Sequence, residues 1–271
     1  MKKQTGAVIL AELLKAYGIT HIFMVPAVLR RTMVEIEKKT NIKRLHVHSE
    51  KSAAYMADGY ARASGKPAIC MAQVIGALNI AAGLRDAFLA HSPVIAITGG
   101  REPKTKFKKV YQEVDDMPAF EPVTKLNATI DDVSRIPDMI DQAFRVSTSG
   151  SPGPAHLQLR GNEAQIDLEE FEFESNFRIS DTQIPPHRPI CNDTILNKAL
   201  GTIQSAKRPI IVAGGGAKHS KCSQELIEFA EKLNIPVATS LNGKDLIHST
   251  HPLSCGVVGT YSRESGNLSV K

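Results

Sequence analysis

From residue 5 to about residue 159, apolar positions follow two alternating patterns. Longer segments carry apolar side chains at helical spacing, as at Leu10, Leu13 and Leu14. Between them stand short, almost wholly apolar runs, such as residues 68–72. The first pattern is that of an amphipathic helix, and the second is that of a strand buried on both faces. Their alternation predicts an α/β domain: a parallel six-stranded sheet with helices on both faces.

Local signals at the ends of these segments support the prediction. Thr5 is a predicted N-cap for the first helix, and Gly18 supplies the left-handed residue that commonly follows a helix. Ser49 is a predicted N-cap for a helix over residues 50–64, which Gly65 closes. Each helix is therefore bounded by residues suited to its ends.

The alternation stops and restarts, which predicts three parts. Residues 1–162 form a complete domain, and residues 163–192 form a linker that is first acidic and then rich in proline. Residues 193–271 repeat the α/β pattern, with a glycine turn at Gly214, Gly215 and Gly216 after an apolar strand. Because they supply only about half of the strands of a doubly wound domain, we expect an incomplete Rossmann-like middle domain.

Composition excludes several classes of protein. The formal net charge of +5 is spread along the sequence, and its only dense patch, at Lys104, Lys106, Lys108 and Lys109, is interpreted as a solvated loop; the chain also has no tryptophan, so we expect no nucleic-acid partner. The four cysteines form no C-x-x-C pair and the histidines are scattered, so we expect no metal site. The N-terminus lacks the apolar core of a signal peptide, and no apolar run approaches the ~18 residues of a membrane span. A cytoplasmic protein without a membrane partner is expected.

The most informative residue is Glu50, which stands at the first turn of a helix directly after a predicted strand. From spacing alone, two interpretations are open. Glu50 can be a first-turn acid that complements the helix dipole. It can also be a ligand-handling group, because parallel sheets bind ligands at the carboxyl ends of their strands.

The residues around Glu50 carry a resemblance to a known family. Residues 50–62 read E-K-S-A-A-Y-M-A-D-G-Y-A-R and resemble the glutamate-helix signature of thiamine-diphosphate enzymes, although Ser49 stands where a histidine usually precedes the glutamate. Further stretches resemble acetolactate-synthase motifs in order along almost the whole chain. They are Y-Q-E-V-D at 111–115, P-V-T-K at 122–125, S-G-S-P-G-P at 149–154, R-P-I-I-V-A-G-G-G at 208–216 and P-V-A-T at 236–239. The chain thus resembles the front part of an acetolactate-synthase-like enzyme.

The resemblance implies a role for each matching residue. Glu50 would hydrogen-bond a ring nitrogen of the aminopyrimidine of thiamine diphosphate and favour its imino tautomer, which then removes the proton of the thiazolium carbon. Pro26, Gly76 and Asn79 would bind the same cofactor, and Gln112 would contact a 2-keto acid substrate. The implied chemistry is decarboxylation and carboligation of 2-keto acids, by a lyase or transferase.

Several departures fall where the family contacts its ligands. The G-x-P-G-G turn appears as M-V-P-A-V at 24–28, and S-G-P-G appears as Q-V-I-G at 73–76. A side chain in place of glycine narrows the pocket or moves the loop, which indicates either a different substrate or a decayed site. Gly214, Gly215 and Gly216 resemble the turn that approaches FAD, but the arginine that contacts FAD in relatives is Ser151 here.

No stretch of the chain resembles the family's G-D-G motif, which holds the diphosphate and its magnesium. We therefore expect a split subunit or a fragment, inactive alone, that forms a homo-oligomer or pairs with a chain carrying the diphosphate-binding domain. The alternative is a noncatalytic α/β interaction or regulatory protein that kept the scaffold.

Overall fold

The structure is a computed structural model, and it describes residues 2–173 and 182–271. The chain divides into two compact units, Met1–His187 and Arg188–Lys271.

The first unit alternates strands and helices. Its strands are β1 (Lys2–Thr5), β2 (His21–Met24), β3 (Lys43–His46), β4 (Ala68–Ala72), β5 (Val94–Gly99), β6 (Leu126–Ile130), β7 (Ala155–Leu159) and β8 (Glu170–Phe173). Its helices are α1 (Gly6–Ala16), α2 (Arg30–Lys39), α3 (Glu50–Ser64), α4 (Ala77–Leu89), α5 (Met117–Phe120) and α6 (Ile136–Thr148). Short 3₁₀ turns cover Val74–Gly76, Pro103–Thr105, Glu121–Val123, Val133–Arg135 and Gln165–Leu168.

Six of these strands form one sheet in the order β3-β2-β4-β5-β7-β6, and every pair is parallel. The predicted six-stranded parallel sheet is confirmed. Side chains alternate between its faces, as β4 shows: Ile69 and Met71 pack with α1, α2 and α6, whereas Cys70 packs with α3 and α4. We call these the α1 face and the α4 face. Both are buried, which explains why β4 is apolar at every position.

The predicted helix ends are largely confirmed. Thr5 Oγ1 accepts a hydrogen bond from the Val8 amide at 3.4 Å. Gly18 and Gly65 adopt the expected left-handed conformation, with φ of +69° and +64°. Ser49 occupies the N-cap position of α3, but its side chain makes no capping hydrogen bond.

Residues 163–173, at the start of the predicted linker, pack within the first unit. Asp167 is buried and accepts hydrogen bonds from the amide and hydroxyl of Thr32, at 3.0 and 2.9 Å. This carboxylate accepts a hydrogen bond from a backbone amide in the first turn of α2, where amides have no acceptor within the helix. β8 then pairs antiparallel with β1, a strand that the apolar pattern does not predict. Residues 174–181 of the predicted linker lie outside the described residues.

The second unit holds a separate parallel sheet of three strands in the order β11-β10-β9. Its strands are β9 (Ile211–Ala213), β10 (Val237–Thr239) and β11 (Ser254–Val257), and its helices are α7 (Asp193–Ser205), α8 (Gly215–His219), α9 (Ser223–Leu233) and α10 (Glu264–Ser269). A 3₁₀ turn covers Leu241–Gly243. In neither unit do the described residues include a helix long and apolar enough to cross a bilayer.

Candidate active site

The residues predicted to bind the cofactor follow three adjacent strands. Pro26 comes after β2, Glu50 after β3 and Gly76 after β4. The helix after β2 packs on the α1 face, and the helices after β3 and β4 pack on the α4 face. Neighbouring parallel strands whose connections leave to opposite faces open a crevice at their carboxyl ends, and ligands bind there. The topology therefore places these residues around a binding crevice.

Three of the predicted residues meet in space. Asn79 Nδ2 donates a hydrogen bond to Glu50 Oε2 at 3.1 Å. A Cβ atom added to Gly76 would lie 2.5 Å from Glu50 Cγ and 2.7 Å from Glu50 Oε1. Such distances are closer than real Cβ contacts, so position 76 must be glycine for Glu50 to hold this orientation. The Glu50 side chain is half-buried, with one oxygen held by Asn79 and the other facing Gly76.

The carboxyl end of α3 is also held in place. Asp58 is buried and receives two hydrogen bonds from Arg62, at 2.9 and 2.7 Å. On α4, a Cβ atom at Gly83 would lie 2.7 Å from Ala54 Cβ and 2.8 Å from the Lys51 carbonyl oxygen. Because α3 and α4 approach so closely, the two helices fix Glu50 and Asn79 relative to each other.

The loop that carries Pro26 keeps an unusual backbone. Pro26 is exposed, and Ala27 has a φ of +82°. Alanine rarely adopts this region, which glycine enters freely. The family motif has glycine at this position, so the loop retains the glycine conformation although the residue has changed. The substitution therefore adds backbone strain at Ala27.

Gln112 lies apart from these residues. It lines a cavity of about 310 Å³, which Glu50, Gly76 and Asn79 do not line. Its Nε2 donates a hydrogen bond to the Tyr111 hydroxyl at 3.2 Å, and its φ is +62°. The structure thus brings the predicted substrate contact to the carboxyl edge of the sheet but not to Glu50.

Sequence reasoning missed a buried acid at the same edge. Asp116 is 1% exposed, and its Oδ1 accepts a hydrogen bond from Gln158 Nε2 at 2.6 Å. Burial is the main reason that the pKa of Asp116 is raised to about 6, against the lowering effect of the Gln158 hydrogen bond. A sequence signal existed, since β7 reads A-H-L-Q-L and places two polar side chains in an apolar run.

The other polar residue of that strand is His156, which is fully buried. Its Nδ1 donates to Asn127 Oδ1 at 2.7 Å, and its Nε2 accepts from Thr98 Oγ1 at 2.8 Å. The Asn127 amide orientation follows from its Nδ2, which donates to the Met117 carbonyl oxygen. Burial lowers the pKa of His156 to about 3, so the ring is neutral. His156 is therefore a core residue with both ring nitrogens hydrogen-bonded.

The predicted FAD contacts lie in the second unit. Gly214 follows β9, and Gly215 begins the five-residue helix α8. A Cβ atom at Gly216 would meet nothing within 4 Å, so no close approach within the unit requires glycine there. In the first unit, Ser151 shares a hydrogen bond with His91 at 2.9 Å. FAD binding stays a prediction. Among residues 2–173 and 182–271, no cluster of three His, Cys, Asp or Glu side chains could hold a metal ion.

Known proteins match this chain along most of its length. The family model described as the thiamine pyrophosphate enzyme N-terminal TPP binding domain matches residues 4–119, and the model for the central domain matches residues 196–271. The chain is 33% identical over 270 residues to a probable acetolactate synthase large subunit of Methanocaldococcus jannaschii, covering 98% of this chain and 45% of the relative.

Two further relatives have related names. The chain is 35% identical to an acetolactate synthase of Arthrospira platensis, covering 96% of this chain and 45% of the relative. It is 29% identical to the acetolactate synthase isozyme 1 large subunit of Escherichia coli, covering 98% and 46%. The chain spans about half the length of the curated relatives it matches.

Proposed function

Because the chain belongs to the thiamine pyrophosphate enzyme family and is acetolactate-synthase-like, we propose that it supplies the pyrimidine-binding side of a thiamine-diphosphate site. The observation that carries the proposal is the convergence of Glu50, Gly76 and Asn79 at the carboxyl edge of the sheet. Thiamine diphosphate, when bound, supplies the electron sink for cleaving or forming a bond next to the carbonyl of a 2-keto acid. Glu50 is the proposed catalytic residue, and Pro26 a further cofactor contact.

The contacts of Glu50 fit an aminopyrimidine. Asn79 donates to Oε2 and so fixes the carboxylate, while Oε1 stands against Gly76, where no side chain intervenes. A carboxyl group in this position can donate a proton to a ring nitrogen or accept one from it, as a general acid–base residue does. The role of Asn79 is to orient Glu50, and the role of Gly76 is to leave room beside it.

The remaining parts of the proposal concern the whole protein. We propose that it acts on a 2-keto acid, that Gln112 contacts this substrate, and that the chain associates with another copy or with a diphosphate-binding chain. We also propose that the diphosphate and its magnesium are held by a domain that these 271 residues do not contain. The support is that the matched family models are an N-terminal and a central domain, and that relatives named acetolactate synthase are about twice as long.

The test is a Glu50→Gln variant, measured together with a chain that carries the diphosphate-binding domain. Glutamine keeps the shape of glutamate and one acceptor but cannot relay a proton. Binding of thiamine diphosphate should change little, whereas exchange of the thiazolium proton, followed by NMR, should slow by about 10² or more.

The matched control is Glu37→Gln, because Glu37 is an exposed acid on α2 whose ion partner is Arg44. This control should leave both thiamine-diphosphate binding and the rate of thiazolium proton exchange unchanged. Equal exchange rates for wild type and Glu50→Gln would show that Glu50 does not relay the proton. If the wild-type complex does not bind thiamine diphosphate, the alternative of a noncatalytic interaction or regulatory protein is favoured.

A further inference from the structure

The loop that carries Gln112 is joined at both ends to β7 or to the chain just after it. We call residues 100–116, between β5 and α5, the Gln112 loop. At its first end, the Gly100 amide donates a hydrogen bond at 2.8 Å to a carbonyl oxygen just after β7. At its second end, Asp116 Oδ1 accepts a hydrogen bond from Gln158 Nε2, on β7, at 2.6 Å. The two ends of the loop are therefore held at one place on the sheet edge.

The Gln158 side chain touches both ends of the Gln112 loop. A Cβ atom added to Gly100 would lie 2.5 Å from Gln158 Cγ, so this side chain passes directly against the Gly100 backbone. Its amide then reaches Asp116. Gln158 is 3% exposed and Asp116 is 1% exposed, so water does not compete for their hydrogen bond. This buried hydrogen bond closes the base of the loop.

A second link across the base of the loop is weaker. Arg101 Nη2 lies 3.1 Å from Asp115 Oδ1, and the Asp115 side chain is 58% exposed. Ion pairs of exposed side chains contribute little to stability, because water and salt screen their charges. Beyond the loop, Phe120 of α5 stacks on His156 of β7, with ring centroids 3.5 Å apart. Because α5 has this contact of its own, loss of the buried hydrogen bond would release the loop and leave α5 on the sheet.

The middle of the loop is held by its own hydrogen bonds. The Glu113 carboxylate accepts one from the Phe107 amide at 2.8 Å and one from the Val110 amide at 3.3 Å. These bonds close the chain on itself around Gln112. Gln112 therefore moves with the loop when the base of the loop opens.

Gln112 and the proposed cofactor side of the site meet at one cavity. Gln112 lines the cavity of about 310 Å³ together with Val74, and Val74 belongs to the 3₁₀ turn that ends at Gly76. A shift of the loop thus changes the distance between Gln112 and the turn beside Glu50. Such a shift matters, because a misplacement of about 1 Å in a substrate-positioning group can cost about 10²-fold in rate.

We propose that Asp116 is a positioning residue: through Gln158 it holds the Gln112 loop against β7 and so keeps Gln112 in place for the 2-keto acid. The inference rests on the proposed role of Gln112 as the substrate contact. Asp116 lines no part of the cavity, so it acts only through the loop. When the loop is open, the site is not competent to bind substrate, and the apparent affinity falls with the fraction of time spent closed.

The first test is steady-state turnover by the complex with the diphosphate-binding chain, with pyruvate, 2-oxobutanoate and 2-oxoglutarate as probes. For the 2-keto acid that is turned over fastest, Asp116→Ala should raise KM about fivefold or more and change kcat by less than about twofold. Exchange of the thiazolium proton should stay unchanged, because Glu50 lies outside the loop. Asp116→Asn should keep the wild-type KM, because its Oδ1 can still accept the hydrogen bond from Gln158.

Two further variants separate positioning from loss of stability. Gln158→Leu removes the other partner of the hydrogen bond, so it should also raise KM, and the double variant with Asp116→Ala should raise KM no more than either alone. Ile140→Ala is the control for stability. Ile140 is 1% exposed and packs on the α1 face, so its truncation destabilises the first unit away from the loop. This control should not raise KM.

The second test measures opening of the loop in the full chain without cofactor. Trypsin cuts after lysine, and the loop exposes Lys104, Lys106, Lys108 and Lys109. Cleavage of a folded protein follows the population of its opened form. Asp116→Ala should be cut at these lysines about tenfold or more faster than the wild type. Asp116→Asn should be cut at the wild-type rate, and Ile140→Ala should show no preference for these four lysines.

Each outcome has a distinct meaning. An unchanged KM for Asp116→Ala in an active complex would overturn this inference alone, and so would equal cleavage of Asp116→Ala and the wild type. A fall in both kcat and thiazolium proton exchange at unchanged KM would show that Asp116 only stabilises the fold. If the wild-type complex turns over no 2-keto acid, the proposed function fails, and the positioning role fails with it.

Discussion

Replacing Asp116 by Asn should change how the stability of the first unit depends on pH. The Asp116 carboxyl is 1% exposed, and burial raises its pKa from the usual 3.8 to about 6. Each pKa unit corresponds to about 1.4 kcal/mol. The rise therefore corresponds to about 3 kcal/mol of lost stability once the carboxylate is ionised in the folded protein.

The direction of the effect follows from proton binding. Below pH 3.8 both the folded and the unfolded chain hold the Asp116 proton, so the group contributes nothing. Between pH 3.8 and about 6 only the folded chain holds it, so stability falls as the pH rises. Asparagine has no such proton and can still accept the hydrogen bond from Gln158. The stability of Asp116→Asn relative to wild type should thus rise by about 3 kcal/mol across this range.

The assay is urea unfolding at a series of pH values, followed through the amide signals of β7, which report on the first unit. Other titrating groups, including His156, are common to both proteins and cancel in the difference. Asp115→Asn is the control, since Asp115 is largely exposed and pairs with Arg101 at the surface. Parallel pH profiles for wild type and Asp116→Asn would refute the reasoning.

The geometry of the site leads to three further predictions. Gly76→Ala should displace the Glu50 carboxyl and so abolish thiamine-diphosphate binding in the complex with the diphosphate-binding chain, as measured by calorimetry. Gly59→Ala is the control and should leave binding intact, because a Cβ atom there meets nothing within 4 Å. Ala27→Gly should raise the free energy of unfolding by about 1 kcal/mol in urea titration, because glycine relieves the strain of a φ of +82°; an unchanged midpoint would contradict this. The chain should self-associate through α4, which exposes Leu78 beside Asn79; light scattering that shows only monomer at micromolar concentration would contradict it.

Local sequence patterns determined where the strands and helices of this protein form. The apolar run of β4 and the helical spacing in α1 depend on neighbours a few residues away, and so do the helix ends at Thr5, Gly18 and Gly65. These features were predictable because each needs only the chemistry of adjacent residues. The same is true of Glu50, whose position at the start of a helix after a strand is a local fact.

Only the tertiary structure decided which elements meet. Asn79 reaches Glu50 across 29 residues and Asp116 reaches Gln158 across 42, because the strand order places their loops side by side. Asp167 lies 135 residues from Thr32, so its role at α2 cannot be seen in the acidic composition that predicted a linker. Gln112 matches a motif, yet it lines a cavity that Glu50 does not line. Such contacts depend on how whole strands and helices bury their faces together, and no short stretch of sequence contains that information.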